Sequence, residues 1–123
     1  MKEEIIRRGD IYLANLNPFK GSEQGGKRPV IIIQNNVGNR HSPTVIVTAV
    51  TSRFFKKRVL PTHVTLDNAE LEKNSLALLE QIRTIDKSRI IKKIGKVPEE
   101  KMKDIDHAIL VSLDLEQLID NHV

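Results

Sequence analysis

The sequence predicts a mainly β protein: a small barrel or strongly coiled sheet, completed by one amphipathic helix at the C-terminus. Three observations carry that expectation. Short β-branched runs recur between turns rich in Gly, Asn and Pro as far as Val97. The richest of them, Thr44–Thr51 (TVIVTAVT), has few residues that a helix would favour. Beyond Pro98 the apolar spacing changes from strand-like to helical, with Met102, Ile105, Ile109 and Leu113 on one stripe. A length of 123 residues suits one domain, and with no linker or internal repeat the whole chain, 1–123, reads as that domain.

The elements follow in order. Ile11–Leu16 (IYLANL) is a strand ended by the Asn17-Pro18 turn signal. Gly21–Pro29 (GSEQGGKRP) is a polar glycine loop, and Val30–Gln34 is a buried strand. Asn35, Asn36, Gly38, Asn39 and Ser42-Pro43 mark a connection into the third strand, Thr44–Thr51. A basic and aromatic segment follows, closed by Pro61, and His63–Leu66 is a short strand. Ser75–Glu80 (SLALLE) reads as a buried strand, although a helical turn shares its pattern. Thr84–Arg89 is expected to be a short helical or turn connection, and Ile90–Val97 the last strand. Pro98 suits a first helical position, and Glu99 and Glu100 suit the positive end of a helix dipole. Leu110, Leu115 and Leu118 widen the helical stripe.

Composition narrows the function classes. There is no cysteine, so neither a disulfide framework nor a thiolate metal site is available. With 3% aromatic residues the core must be built from Ile, Leu and Val. No stretch resembles a secretory leader or reaches the length of a membrane span, which points to a soluble cytoplasmic protein. His41, His63, His107 and His122 share no metal-binding spacing, and no Walker loop or nucleophile elbow is present. His63 and His107 read as surface or satisfied side chains. A net charge of +4 is a mild basic excess, compatible with a polyanionic partner.

Two stretches could meet such a partner. Arg53, Lys56, Lys57 and Arg58 surround Phe54 and Phe55, a mixture that suits unpaired bases and phosphates, or equally a solvated loop whose rings fold inward. The glycine loop places Arg28, with its planar fork of donors, at the root of a strand. It reads either as a loop closing on a phosphate-bearing polymer or as a long hairpin connection with a surface arginine. If the second and third strands are antiparallel neighbours, Arg28 and Thr51 share one rim of the sheet.

Ordered segments across nearly the whole chain resemble the MazF/PemK family of toxin endoribonucleases, Gram-positive type. They are RRGDIYLANLNP (Arg7–Pro18), GSEQGGKRPVIIIQN (Gly21–Asn35), GNRHSPTVIVTAVTS (Gly38–Ser52), LPTHV (Leu60–Val64) and LLEQIRTIDKSRI (Leu78–Ile90). The resemblance implies a small SH3-like barrel with helices, of the CcdB/PemK kind, assembled as a homodimer. It implies sequence-specific, metal-independent cleavage of single-stranded RNA without a cofactor, and Arg28 and Thr51 as the catalytic pair. Ser22, Glu23, Gln24, Asn35, Glu80, Gln81 and Arg83 are the expected base-reading residues, with Phe54 and Lys56 from the segment where members differ. Each of these could instead pack its loop, and Glu80 and Gln81 could brace the glycine loop. Glu23 is also a candidate general base. The resemblance further implies a MazE-like antitoxin whose acidic segment covers the RNA site, and operator DNA as a ligand of the toxin–antitoxin complex. Two other functions compete: a gyrase-inhibiting toxin resembling CcdB, and a nucleic-acid binding module without catalysis.

Overall fold

The computed structural model describes residues 5–52, 60–66 and 74–120. Its strands are β1 (Asp10–Asn15), β2 (Lys27–Ile32), β3 (Thr44–Thr51), β4 (His63–Thr65), β5 (Leu76–Asp86) and β6 (Ile90–Lys96). Its helices are α1 (Asn36–His41), α2 (Glu99–Ser112) and α3 (Gln117–Asp120), with one 3₁₀ turn at Lys87–Arg89. The strands form one antiparallel sheet in the order β4-β5-β3-β2-β1-β6.

That order forces the sheet to coil. β5 and β6 stand four strand spacings apart, about 19 Å on a flat sheet. The three residues that join them, Lys87–Arg89, span only about 10 Å when fully extended. The sheet therefore curls, and its concave face encloses Tyr12, Ala14, Leu16, Val30, Ile32, Val45, Val47, Ala49 and Ile85, a cluster to which no helix contributes. The opposite face carries Ile11, Ile31, Val50, Ala77 and Leu79, covered by Ile105 and Ala108 of α2. Consecutive residues such as Ile11 and Tyr12 or Ile31 and Ile32 enter opposite clusters, as the strand period of two requires. The expected mainly β fold with a C-terminal helix is the observed one.

Four details differ from the sequence expectation. The 35–43 connection contains α1, because the Asn35 side chain caps it by accepting from the Gly38 amide at 2.8 Å. β2 starts at Lys27 and passes through Pro29, whose missing N–H does no harm because the β3 ladder begins only at Val30. β5 runs on to Asp86, held by pairing with the full length of β3, so only Lys87–Arg89 is helical. α2 stops at Ser112, and Pro98 is its cap rather than its first residue. Asp114 takes φ 59°, its amide bonds Val111, and the Leu115 amide bonds Leu110, which closes the helix end. Leu113, Leu115 and Leu118 are consequently exposed and outside the α2 stripe. Among the described residues, no helix is long and apolar enough to cross a membrane.

Candidate nucleic-acid site

The β2–β3 register decides where Arg28 and Thr51 lie. Val30 faces Ala49, Ile31 faces Thr48 and Ile32 faces Val47. Carried two positions further, the same register sets Arg28 opposite Thr51. Strand alternation puts both on the face of Val30, Ile32, Val47 and Ala49, at one rim of the concave cluster. Arg28 also pairs with Ala14 of β1, from the same cluster. Thr51 is buried to 7% exposure, whereas Arg28 is half-buried.

The Arg28 side chain is oriented by the glycine loop. Its Nε donates to the Gly25 carbonyl at 2.6 Å, which leaves the Nη donors of the fork for a ligand. The loop is itself held at many points. Leu16 N donates to Gly26 O at 2.9 Å, and Gly26 N donates to Asn17 Oδ1 at 2.9 Å. Gly26 has φ 77°, a backbone region that side-chain-bearing residues resist. Arg83 Nη1 donates to Leu16 O at 3.1 Å, and Arg89 Nη1 donates to the carbonyls of Asn15 and Asn17. Two guanidinium groups thus tie the loop's first residues to β5 and the turn beyond it.

The other expected base-reading residues divide. Ser22 and Glu23 are exposed at the loop tip, and Glu23 Oε1 accepts from Lys20 N at 2.5 Å. Gln24 N donates to Gln81 Oε1 at 3.4 Å, so Gln81 does brace the glycine loop. Gln24 Oε1 is buried without a hydrogen-bond partner. Gln81 lies where the β3–β5 register jumps: Thr48 faces Ile82 but Ala49 faces Leu78, so Leu79, Glu80 and Gln81 form a bulge. Glu80 does not reach the glycine loop. Its Oε1 accepts from Thr62 Oγ1 at 2.9 Å, and its Oε2 is 2.8 Å from His63 Nε2. His63 Nδ1 accepts from Leu60 N at 3.0 Å, so Nε2 carries the proton given to Glu80. Burial pushes the Glu80 carboxyl up, but hydrogen bonds from His63, its own backbone and Thr62 outweigh this and hold it below its ordinary value. His63 is a satisfied side chain, as expected.

Asn35 is separated from this cluster, since the length of β2 lies between it and Arg28, and its side chain is spent on capping α1. Phe54 and Lys56 lie outside the described residues. Sequence reasoning does not single out Phe19, which packs on Gly25 of the glycine loop, or Arg89, which holds the Asn15 and Asn17 carbonyls leading into it. An arginine at the end of the LLEQIRTIDKSRI segment and an aromatic ring directly after Asn-Pro were the available signals.

The chain and its fold both have known relatives. The family model described as PemK-like, MazF-like toxin of type II toxin–antitoxin system matches residues 7–113. The Endoribonuclease MazF of Staphylococcus saprophyticus is 53% identical over 113 residues, 90% of this chain and 93% of that protein. Among solved structures, MazF from Deinococcus radiodurans is similar with a TM-score of 0.79 and 25% identity, over 91% of this chain and 99% of that one. A mycobacterial endoribonuclease, solved in complex with its cognate antitoxin, is similar with a TM-score of 0.76 and 26% identity, over 89% and 96%.

Proposed function

We infer the chemistry from one premise: the chain belongs to the PemK-like, MazF-like toxin family of type II toxin–antitoxin systems. As an endoribonuclease toxin of that family it cuts single-stranded RNA in a sequence-dependent manner, and the loss of messenger RNA stops translation and growth. The catalytic pair in this reading is Arg28 with Thr51, and the observation that supports it is the β2–β3 register, paired from Val30–Ala49 inward, which extended two positions sets one beside the other.

The substrate supplies its own nucleophile. The 2′-OH attacks the adjacent phosphorus, the bond to the 5′-oxygen breaks, and the 2′ proton is lost as the 5′-oxygen gains one. The products are a 2′,3′-cyclic phosphate and a 5′-hydroxyl. DNA lacks the attacking group and can bind without being cut. The enzyme's task is to hold the attack in line and to stabilise charge growing on the phosphorane oxygens. Arg28 suits the second task because Gly25 O fixes its Nε and the remaining fork can grip two oxygens together. The Thr51 hydroxyl donates to a non-bridging oxygen or relays a proton. No step calls on a metal ion. Ser22, Glu23, Gln24, Gln81 and Arg83 read base edges around the pair. Glu23 fits base reading better than proton abstraction, because one of its oxygens already holds the loop.

The protein works in the cytoplasm as a homodimer. A cognate antitoxin silences it by laying an acidic segment across the same basic rim, and the pair together bind operator DNA. The test is to digest a long unstructured RNA in EDTA and sequence the ends. Cuts within a recurring word, with cyclic phosphate and 5′-hydroxyl ends, are expected. Their loss in Arg28→Ala and Thr51→Ala, each still folded, assigns the pair. Uncut RNA across all sequence contexts would overturn the reading, and inhibition of gyrase that survives Arg28→Ala would favour the CcdB-like alternative.

A further inference from the structure

Phe19 is a large aromatic side chain left half exposed. Among the described residues the aromatics are Tyr12, 1% exposed inside the concave cluster, and Phe19, 53% exposed on the loop that orients Arg28. A phenylalanine left half in water on an ordered loop presents an unused apolar face.

Its seat is built to hold that face outward. A Cβ added at Gly25 would lie 1.9 Å from Cδ1, 2.2 Å from Cγ and 2.6 Å from Cε1 of Phe19, so one edge of the ring rests against the Gly25 backbone where no side chain fits. The carbonyl of the same Gly25 takes the Arg28 Nε. One residue therefore fixes both an aromatic ring and the phosphate-facing guanidinium. The loop bearing them is already ordered by Asn17, Arg83 and Arg89, so little ordering remains for a ligand to impose.

We propose that Phe19 is a stacking platform for an unpaired RNA base next to the nucleotide whose phosphate Arg28 holds. The proposal rests on the endoribonuclease reading and adds to it a binding residue that acts on the substrate's base rather than on its phosphate. Every base has a π-face, so the platform contributes affinity and placement rather than a choice of letter. Gly25 supports both the ring and the Arg28 Nε, so a base on the one and a phosphate on the other would share a single backbone anchor.

The test uses the full-length protein and the mapped cut-site oligonucleotide, made uncleavable by a 2′-deoxy sugar at the attacking position. Phe19→Leu keeps apolar volume against Gly25 but removes the π-face. It is expected to weaken binding about 5- to 150-fold, the ratio that a stacked base of 1–3 kcal/mol represents. Phe19→Trp should restore it. The slope of log Kd against log salt should not change, because no phosphate contact is lost. On the cleavable oligonucleotide, KM should rise while kcat stays within about twofold. An abasic nucleotide at one position should weaken wild type but leave Phe19→Leu unaffected. Phe19→Leu binding within twofold of wild type overturns the proposal. So does a Leu variant that binds RNA normally and instead loses self-association or antitoxin affinity. Wild type that neither cuts nor binds RNA would sink the endoribonuclease reading itself, a separate outcome.

Discussion

In the proposed mechanism Arg28 does what only a fork can do. Its Nε is committed to Gly25, so the remaining donors act as one rigid pair toward a phosphate. Arg28→Lys keeps the charge but loses both the tether and the pair. It should lower single-turnover cleavage by about 10²–10³, as removal of one preorganised donor does elsewhere, while the thermal midpoint hardly moves. Glu80 makes a different residue-scale prediction. Its carboxyl is held below its ordinary value of 4.5, so the charged form is the one that folding favours. The stabilisation is complete above that value and is lost as pH falls through the lower folded value. Glu80→Gln should therefore flatten the fall in urea stability between about pH 5 and pH 3, with RNA cleavage at neutral pH retained. A steep acid slope that persists in the Gln variant would place the acid sensitivity on other carboxylates.

At the scale of elements, the short helix α1 is held by side chains rather than by propensity. Asn39 is 2% exposed and has Nδ2 on Gln34 O at 2.9 Å and Asn36 Oδ1 at 3.1 Å, while its Oδ1 accepts from Gln34 Nε2 at 3.2 Å. Asn39→Ala strands the Gln34 groups inside and should cost about 1–3 kcal/mol in urea unfolding, with catalysis on the far end of β2 little changed. This helix also shows why part of the fold was illegible. Gly38-Asn39 in a stretch ended by Ser42-Pro43 is a turn signal locally, and the buried Gln34 bond and the long-range Lys87 bond decide for a helical turn. The end of β5 was misjudged for the same reason, since its partner β3 lies far away in sequence. β3 itself needed no such help, because its β-branched run speaks for itself, and its predicted bounds are the observed ones. At the site, residue types left Arg28 and Thr51 open between a surface role and a phosphate site, and the family resemblance singled them out; the commitments of Glu80 to β4 and Asn35 to α1 depend on neighbours that no spacing reveals.

For the molecule as a whole, the coiled sheet separates stability from chemistry. One face is a core sealed by α2 through Ile105 and Ala108, and the other is a core whose rim carries Arg28 and Thr51. The two are divided by the thickness of the sheet, and the loop that orients Arg28 is anchored by β5 and the Lys87–Arg89 turn, not by α2. Truncating the helix side should thus weaken folding without disarming the site. Ile105 is fully buried, and Ile105→Ala should lower unfolding free energy by about 2–5 kcal/mol, from lost apolar contact and the cavity left behind. Cleavage by the folded fraction, measured well below the lowered midpoint, should keep its kcat and KM within about twofold. A large drop in kcat at a temperature where the variant is fully folded would show that α2 transmits strain through the sheet to Arg28, and that the two cores do not act independently.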